Sequence, residues 1–328
     1  MGSHARSERH ASCDPARVHF RWLPGVLLAV AAASCSESHE SPVDEPGHEH
    51  GDPSPTGATG LGPSCDEDNT IQGTAAGTID RPLPDAVVQL ERQLQWGCAH
   101  REWHESRQWD YIANDPKQAT RYAYANKMKW KRAAIVEGAP GSGLDFLAMH
   151  RAMVGTLRDR FPEHARLFEG WATPPTTSSE ADPLPPASDG GASPPFFLGM
   201  KQAIARLETD PGSFPSEEEL GLFIETRHRP TADKPFAQTS DLTTGLHAFI
   251  HSRFDDPRSP IHMELFNRNI ENETFFRFHG WIDGIWTRWR TAKGLNDETD
   301  AAYGEAMHHA CMHMGFGMWS SARRACTT

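Results

Sequence analysis

The sequence predicts an all-α protein, a helical bundle with long loops and little β structure, over residues 86–328. Apolar residues recur at helical spacing in one segment after another beyond residue 85. No alternating run is long enough to argue for a substantial sheet. Helix-start residues precede several of the periodic segments. There is no repeat at solenoid period and no glycine-rich phosphate loop.

Residues 1–34 read as a signal segment. Arg17 and Arg21 precede the apolar run WLPGVLLAVAAA, which is too short to span a bilayer. The run ends in AAASC and resembles a bacterial lipoprotein signal, with Ala32 where a Leu is usual. That resemblance implies lipidation of Cys35 and a membrane-anchored, exported protein; ordinary secretion after Ala33 or Ser34 is the alternative. Residues 35–85 are rich in Ser, Pro, Gly, Asp, Glu and His without apolar period, and are expected to be a disordered tether. Such a tether accounts for a hydrophobic fraction of only 38%. In an exported chain Cys65, Cys98, Cys311 and Cys326 can form two disulfides, with three connectivities open; a Cys98–Cys311 bond would tie an early helix to the last one.

Helical spacing starts at Asp85 and passes through Leu90, Leu94 and Cys98. A second helix is expected over 118–134, and a third from Asp145, read as its N-cap, to about Arg160. Residues 172–195 form a Pro/Ser/Thr/Gly-rich loop before a helix over 197–208. Ser216 and Glu219 form a capping box. Further helices are expected over 241–253, 273–292 and 297–314.

With 32 Lys and Arg against 44 Asp and Glu, the net charge is −12, which argues against a nucleic-acid partner. The 18 histidines are the unusual count. Three pairs stand at i, i+4: His100/His104, His247/His251 and His309/His313. Chance gives about one such pair at this frequency. On a helix this spacing puts two imidazoles on one face, within reach of one metal ion. His247 and His251 sit among apolar residues in LTTGLHAFIHSRF, and His279 begins an aromatic-rich helical stretch, so these three form a candidate metal site.

The segment Phe275, His279, Asp283, Trp286, following an HxxxH helix, is similar to the second copper-binding half of the tyrosinase and type-3 copper family. The resemblance implies that His247, His251 and His279 hold one copper, with Phe275 packing beside it and Asp283 and Trp286 supporting the helix. Phe146, Leu147, His150 and Arg151 match the first-half motif F-L-x-W-H-R, with Met149 in place of Trp. They imply that His150 is a ligand of the other copper. The family's His about nine residues earlier is absent, as is its Pro-Tyr-Trp-Asp-Trp segment. Three outcomes stay open: His100 and His104 complete that set, the last helix does so, or the first site is degenerate and one copper is bound. Cys98, two residues before His100, is set differently from the thioether cysteine of some members. His309 and His313, in the Met-rich stretch AMHHACMHMGFGM, are a candidate accessory copper site or a helix-end core.

The resemblance implies a copper oxidoreductase that uses dioxygen to oxidise a small phenolic, catechol-like substrate. Ala248 stands where many tyrosinases have Asn, which puts monophenol hydroxylation in doubt. The other reading is a non-catalytic copper- or oxygen-binding lipoprotein.

Overall fold

The computed structural model describes residues 78–175, 192–234 and 236–314. The signal segment, Cys35 and most of the expected tether lie outside these residues. The described chain is mostly helical with little strand, as the sequence predicts. Its order is α1 (Asp85–Gln93), α2 (Trp96–Arg107), α3 (Trp109–Asn114), α4 (Ala119–Lys127), α5 (Ser142–Arg160), α6 (Pro194–Thr209) and α7 (Glu217–Glu225). A two-residue hairpin follows, β1 (His228–Arg229) antiparallel to β2 (Ala237–Gln238), then α8 (Leu246–Arg253), α9 (Glu273–Lys293) and α10 (Ala301–His313). None of the described helices is long and apolar enough to cross a membrane.

The packed chain begins earlier than expected. Leu83 is buried and its amide donates to the Glu271 carbonyl at 2.9 Å, while Pro82 bridges Asn272. The end of the expected tether therefore lies against the start of α9.

The first periodic stretch is two helices, because Gln95 takes a left-handed backbone (φ 54°) between α1 and α2. The break lets α2 take its own direction, and His100 and His104 are buried. The expected helix over 118–134 is also shorter: α4 stops at Lys127, and Lys129 is again left-handed (φ 62°).

Helix α5 forms the centre, packed against α7, α9 and α10. Asp145 lies in its first turn and is not its N-cap. The Glu218 carboxylate of α7 accepts from the amides of Gly141 (2.9 Å) and Leu144 (3.0 Å), satisfying free donors at the helix start. Asp145 instead meets Arg107 at 3.3 Å, and Arg107 also pairs with Glu225, so one buried charge group ties α2, α5 and α7. The Ser216 cap holds, accepting from the Glu219 amide at 3.1 Å. Helix α9 is capped by Asn272 and α10 by Asp300.

One close crossing positions α9. Gly170 (φ +80°) and Gly280 lie backbone to backbone; a Cβ on Gly280 would sit 2.5 Å from the Gly170 nitrogen and 2.8 Å from the Phe168 carbonyl oxygen. The Trp171 amide donates to the Arg277 carbonyl at 2.9 Å in the same crossing. Cys98 and Cys311 are both disulfide-bonded, and Cys65 and Cys326 lie outside the described residues. A disulfide sulfur is not free for a thioether, so Cys98 does not form one with a histidine.

Candidate metal centre

Four helices bring six histidines together: His100 and His104 from α2, His150 from α5, His247 and His251 from α8, and His279 from α9. All six are buried. The ring pairs His100–His104, His247–His251 and His150–His279 have centroids 4.7, 4.6 and 4.3 Å apart.

Backbone carbonyls set the tautomer of four rings. Nδ1–H of His100 donates to Phe266 (2.8 Å), that of His150 to Phe146 (2.9 Å), that of His251 to Met263 (2.7 Å) and that of His279 to Phe275 (2.7 Å). Each ring therefore presents Nε2 as a lone pair. Two acceptors are helical i−4 carbonyls, which spacing alone provides. The other two come from the loop between α8 and α9. Sequence reading could not single out Phe266 or Met263, since only their backbone oxygens act here. The Phe266 ring also stacks on His104 at 5.1 Å.

The Nε2 atoms are close together: His104 to His100 at 3.1 Å, and His247 to His279 at 3.1 Å. The Nε2 atoms of His150 and His251 are buried with no hydrogen-bond partner. An orphaned buried nitrogen costs about 1–3 kcal/mol, a cost that a bound cation removes. Burial also keeps the rings neutral. It lowers His100 to about 3 and His251 to about 4, against an ordinary 6.5. Burial, reinforced by mutual repulsion among the rings, holds His104, His150, His247 and His279 well below that value. Neutral imidazoles bind metal without first losing a proton.

Two groups of three can hold a metal ion: His100/His104/His150 and His150/His247/His279, with ligand atoms within 4.8 Å of one another. This imidazole donor set suits copper, zinc, iron or nickel. His100 and His104 thus stand with His150, and α10 does not supply these ligands. His150 belongs to both groups. His251, expected with His247 and His279, stands beside the second group, its ring 5.5 Å from that of His279.

The supporting residues are also placed. Phe275 lies among the rings, 3.9 Å from His279 and 5.2 Å from His100. Asp283 pairs with Arg151, so it touches no histidine but joins α5 to α9 just beyond His150 and His279. Arg151 also donates to Thr287 at 2.7 Å and lies over the Trp286 ring at 3.9 Å. Trp286 donates to Glu217 of α7 at 2.7 Å.

The candidate accessory site is not assembled among the described residues. His309 Nδ1 donates to Asp145 at 3.2 Å, and no group of three forms around His309 and His313. Met307 and Met314 are core residues and Met312 is exposed, which fits the helix-end reading.

A cavity of about 760 Å³ opens onto His104, His247 and His251. That volume holds a small aromatic molecule. Its other walls include Tyr111, Glu137, Phe196, Glu225 and His228, none of which a sequence motif marks. Comparison with known proteins finds no family model, no curated protein and no solved structure that matches the chain.

Proposed function

We propose that this chain is an exported, lipid-anchored copper oxidoreductase that oxidises a small phenolic, catechol-like substrate with dioxygen. The observation that carries this reading is the convergence of buried, neutral imidazoles on Nε2 beside a cavity of about 760 Å³. The histidine and aromatic spacing of α8 and α9, similar to that of type-3 copper proteins, supports it.

Copper bound by these residues supplies the electron changes that couple dioxygen reduction to oxidation of the phenol. The chain's own residues prepare the site. The carbonyls of Phe146, Met263, Phe266 and Phe275 hold four rings in one tautomer and orientation. Phe275, fully buried between His100 and His279, keeps water from the rings. Ala248, on the cavity wall beside His247, leaves space for a ring approaching His104, His247 and His251.

The test is metal content together with oxygen uptake on a catechol. Two coppers per chain and catechol-dependent oxygen uptake are expected; a copper-loaded chain that leaves catechols untouched overturns the oxidase reading. The sharing of His150 by both groups favours one alternative, a non-catalytic binder of a single copper. One ion per chain without oxidation is its signature.

A further inference from the structure

The cavity holds a second constellation outside the histidine cluster. His228, on β1, lines the same cavity as His104, His247 and His251. Its Nδ1 lies 3.9 Å from the Glu137 carboxylate, and its Nε2 has no hydrogen-bond partner among the described residues. The ring stacks on Tyr111, centroids 5.1 Å apart at 26°, and meets Phe236 edge-on at 5.8 Å.

The backbone is built around this pair. The turn carrying Glu137 passes so close to β1 that a Cβ on Gly138 (φ +81°) would lie 2.2 Å from the His228 carbonyl oxygen. Gln108 Nε2 donates to the Glu137 carboxylate at 2.6 Å and steadies it. Burial raises the Glu137 carboxyl, but contacts from His228, Thr226, Gln108 and Arg107 outweigh it and hold the group ionised. The other charged or titratable groups lining the same space are Tyr111 and Asp110 from α3, Arg107 from α2, Arg121 from α4, Glu225 from α7, Arg227 beside β1 and Glu264 from the loop after α8. Arg121 pairs with Glu105, and Glu264 accepts from Ser252. Asp110 is engaged by Arg132 at 2.7 Å and Glu225 by Arg107. Glu137 is the carboxylate left to face the imidazole.

We propose that His228, backed by Glu137, accepts the hydroxyl proton of a phenolic substrate in the cavity. The step breaks the phenolic O–H bond, forms N–H on Nε2 and leaves the electron pair on the phenolate oxygen. Glu137, 3.9 Å from Nδ1, balances the imidazolium charge as its ion partner. A carboxylate-backed imidazole is a suitable general base near neutral pH. It supplies a proton acceptor in a chain with Ala248 where many tyrosinases have Asn. The substrate class rests on the phenol-oxidase reading above.

The experiment uses the full chain, both metal-free and copper-loaded, with 4-nitrocatechol as the probe. Ionisation of the bound probe is read from its visible absorbance as a function of pH. The wild type is expected to hold the probe as its anion at a pH about one unit lower than His228→Gln does. Glu137→Gln falls between them, and copper content is the same in all three. A purely structural role for the pair would alter thermal stability and leave the ionisation curve unmoved. An unchanged curve in both variants, or no probe binding by the wild type, overturns the proposal. Absence of copper from the wild type sinks the oxidase reading alone, since the metal-free titration still decides the role of His228.

Discussion

The imidazoles of His150 and His279 are stacked, centroids 4.3 Å apart and planes within 11°. One ring comes from the centre of α5 and the other from α9, 129 positions later in the chain. His150 also reaches His100 and His104, so it belongs to both candidate metal groups. Replacing it by Ala should therefore reduce metal content at both. His100→Ala should leave the group His150/His247/His279 intact and retain one ion. Metal analysis of the two purified variants compares them directly. Equal losses would show that His150 serves only one group.

His251 gives a second contrast. Its Nε2 is buried without a partner, so the metal-free protein gains nothing from that atom. His251→Phe removes the penalty of the orphaned Nε2 but also loses the Nδ1–H bond to the Met263 carbonyl, which still accepts from Asn269 at 2.9 Å. Metal-free stability should therefore change by no more than about 1 kcal/mol. The same change should weaken metal binding about tenfold or more if His251 turns inward as a ligand. Titration with copper reads this; undiminished affinity would place His251 outside the metal shell.

The Arg151–Asp283 pair clamps α5 to α9, and both side chains are largely buried, 11% and 14% exposed. Arg151→Met leaves Asp283 without its ion partner and also removes the contact over Trp286. A loss of about 3 kcal/mol is expected, measured by urea unfolding. Asp283→Asn should cost less, because Arg151 keeps Thr287 and Trp286. The reverse order would mean that the clamp is carried by the carboxylate.

Acid should unfold the metal-free protein earlier than a helical bundle without such a cluster. The six imidazoles have folded-state values below the ordinary 6.5, with His251 at about 4 and His100 at about 3. Below about 6.5 the unfolded chain takes up protons that the folded cluster refuses, so stability is full above that pH and falls as pH drops toward 4. Chemical denaturation at a series of pH values tests this. A flat profile between pH 7 and 4 contradicts the buried neutral cluster.

Two glycines of α9 make an internal control. Gly280→Ala drives a methyl into the backbone of Gly170 and Phe168, next to His279, and should cost about 3 kcal/mol while lowering metal affinity. Gly284→Ala meets nothing within 4 Å and should be neutral or stabilise α9 by about 0.5–1 kcal/mol. Thermal melts of both variants suffice. Similar melting points would show that the crossing is looser than its geometry.

The helical class and most helix positions were legible because amphipathic spacing and caps such as Ser216 are local signals. The breaks at Gln95 and Lys129 were not, since a left-handed residue other than glycine carries no local mark and is imposed by what the chain packs against. Histidine spacing marked four of the six clustered rings, His100, His104, His247 and His251. His279 was marked by its aromatic-rich stretch and His150 only by the likeness to the F-L-x-W-H-R motif, and none of these signals shows that His150 stands between the two groups. Asp145 illustrates the same limit. Its sequence position suits a helix cap, while Arg107 and His309, distant in sequence, decide what it does. Glu137 and His228 are invisible to spacing because a turn and a two-residue strand bring them together.

The six rings are spread from position 100 to position 279, and two of them are held by carbonyls of a loop that precedes α9. No segment of the emerging chain therefore carries a complete binding group. A small zinc module folds around its ion; here the bundle must close before there is anything to load. On the proposed metal-binding reading, folding comes first and metal insertion last. On the same reading, the cavity beside His104, His247 and His251 is the opening through which the rings can be reached in the folded chain.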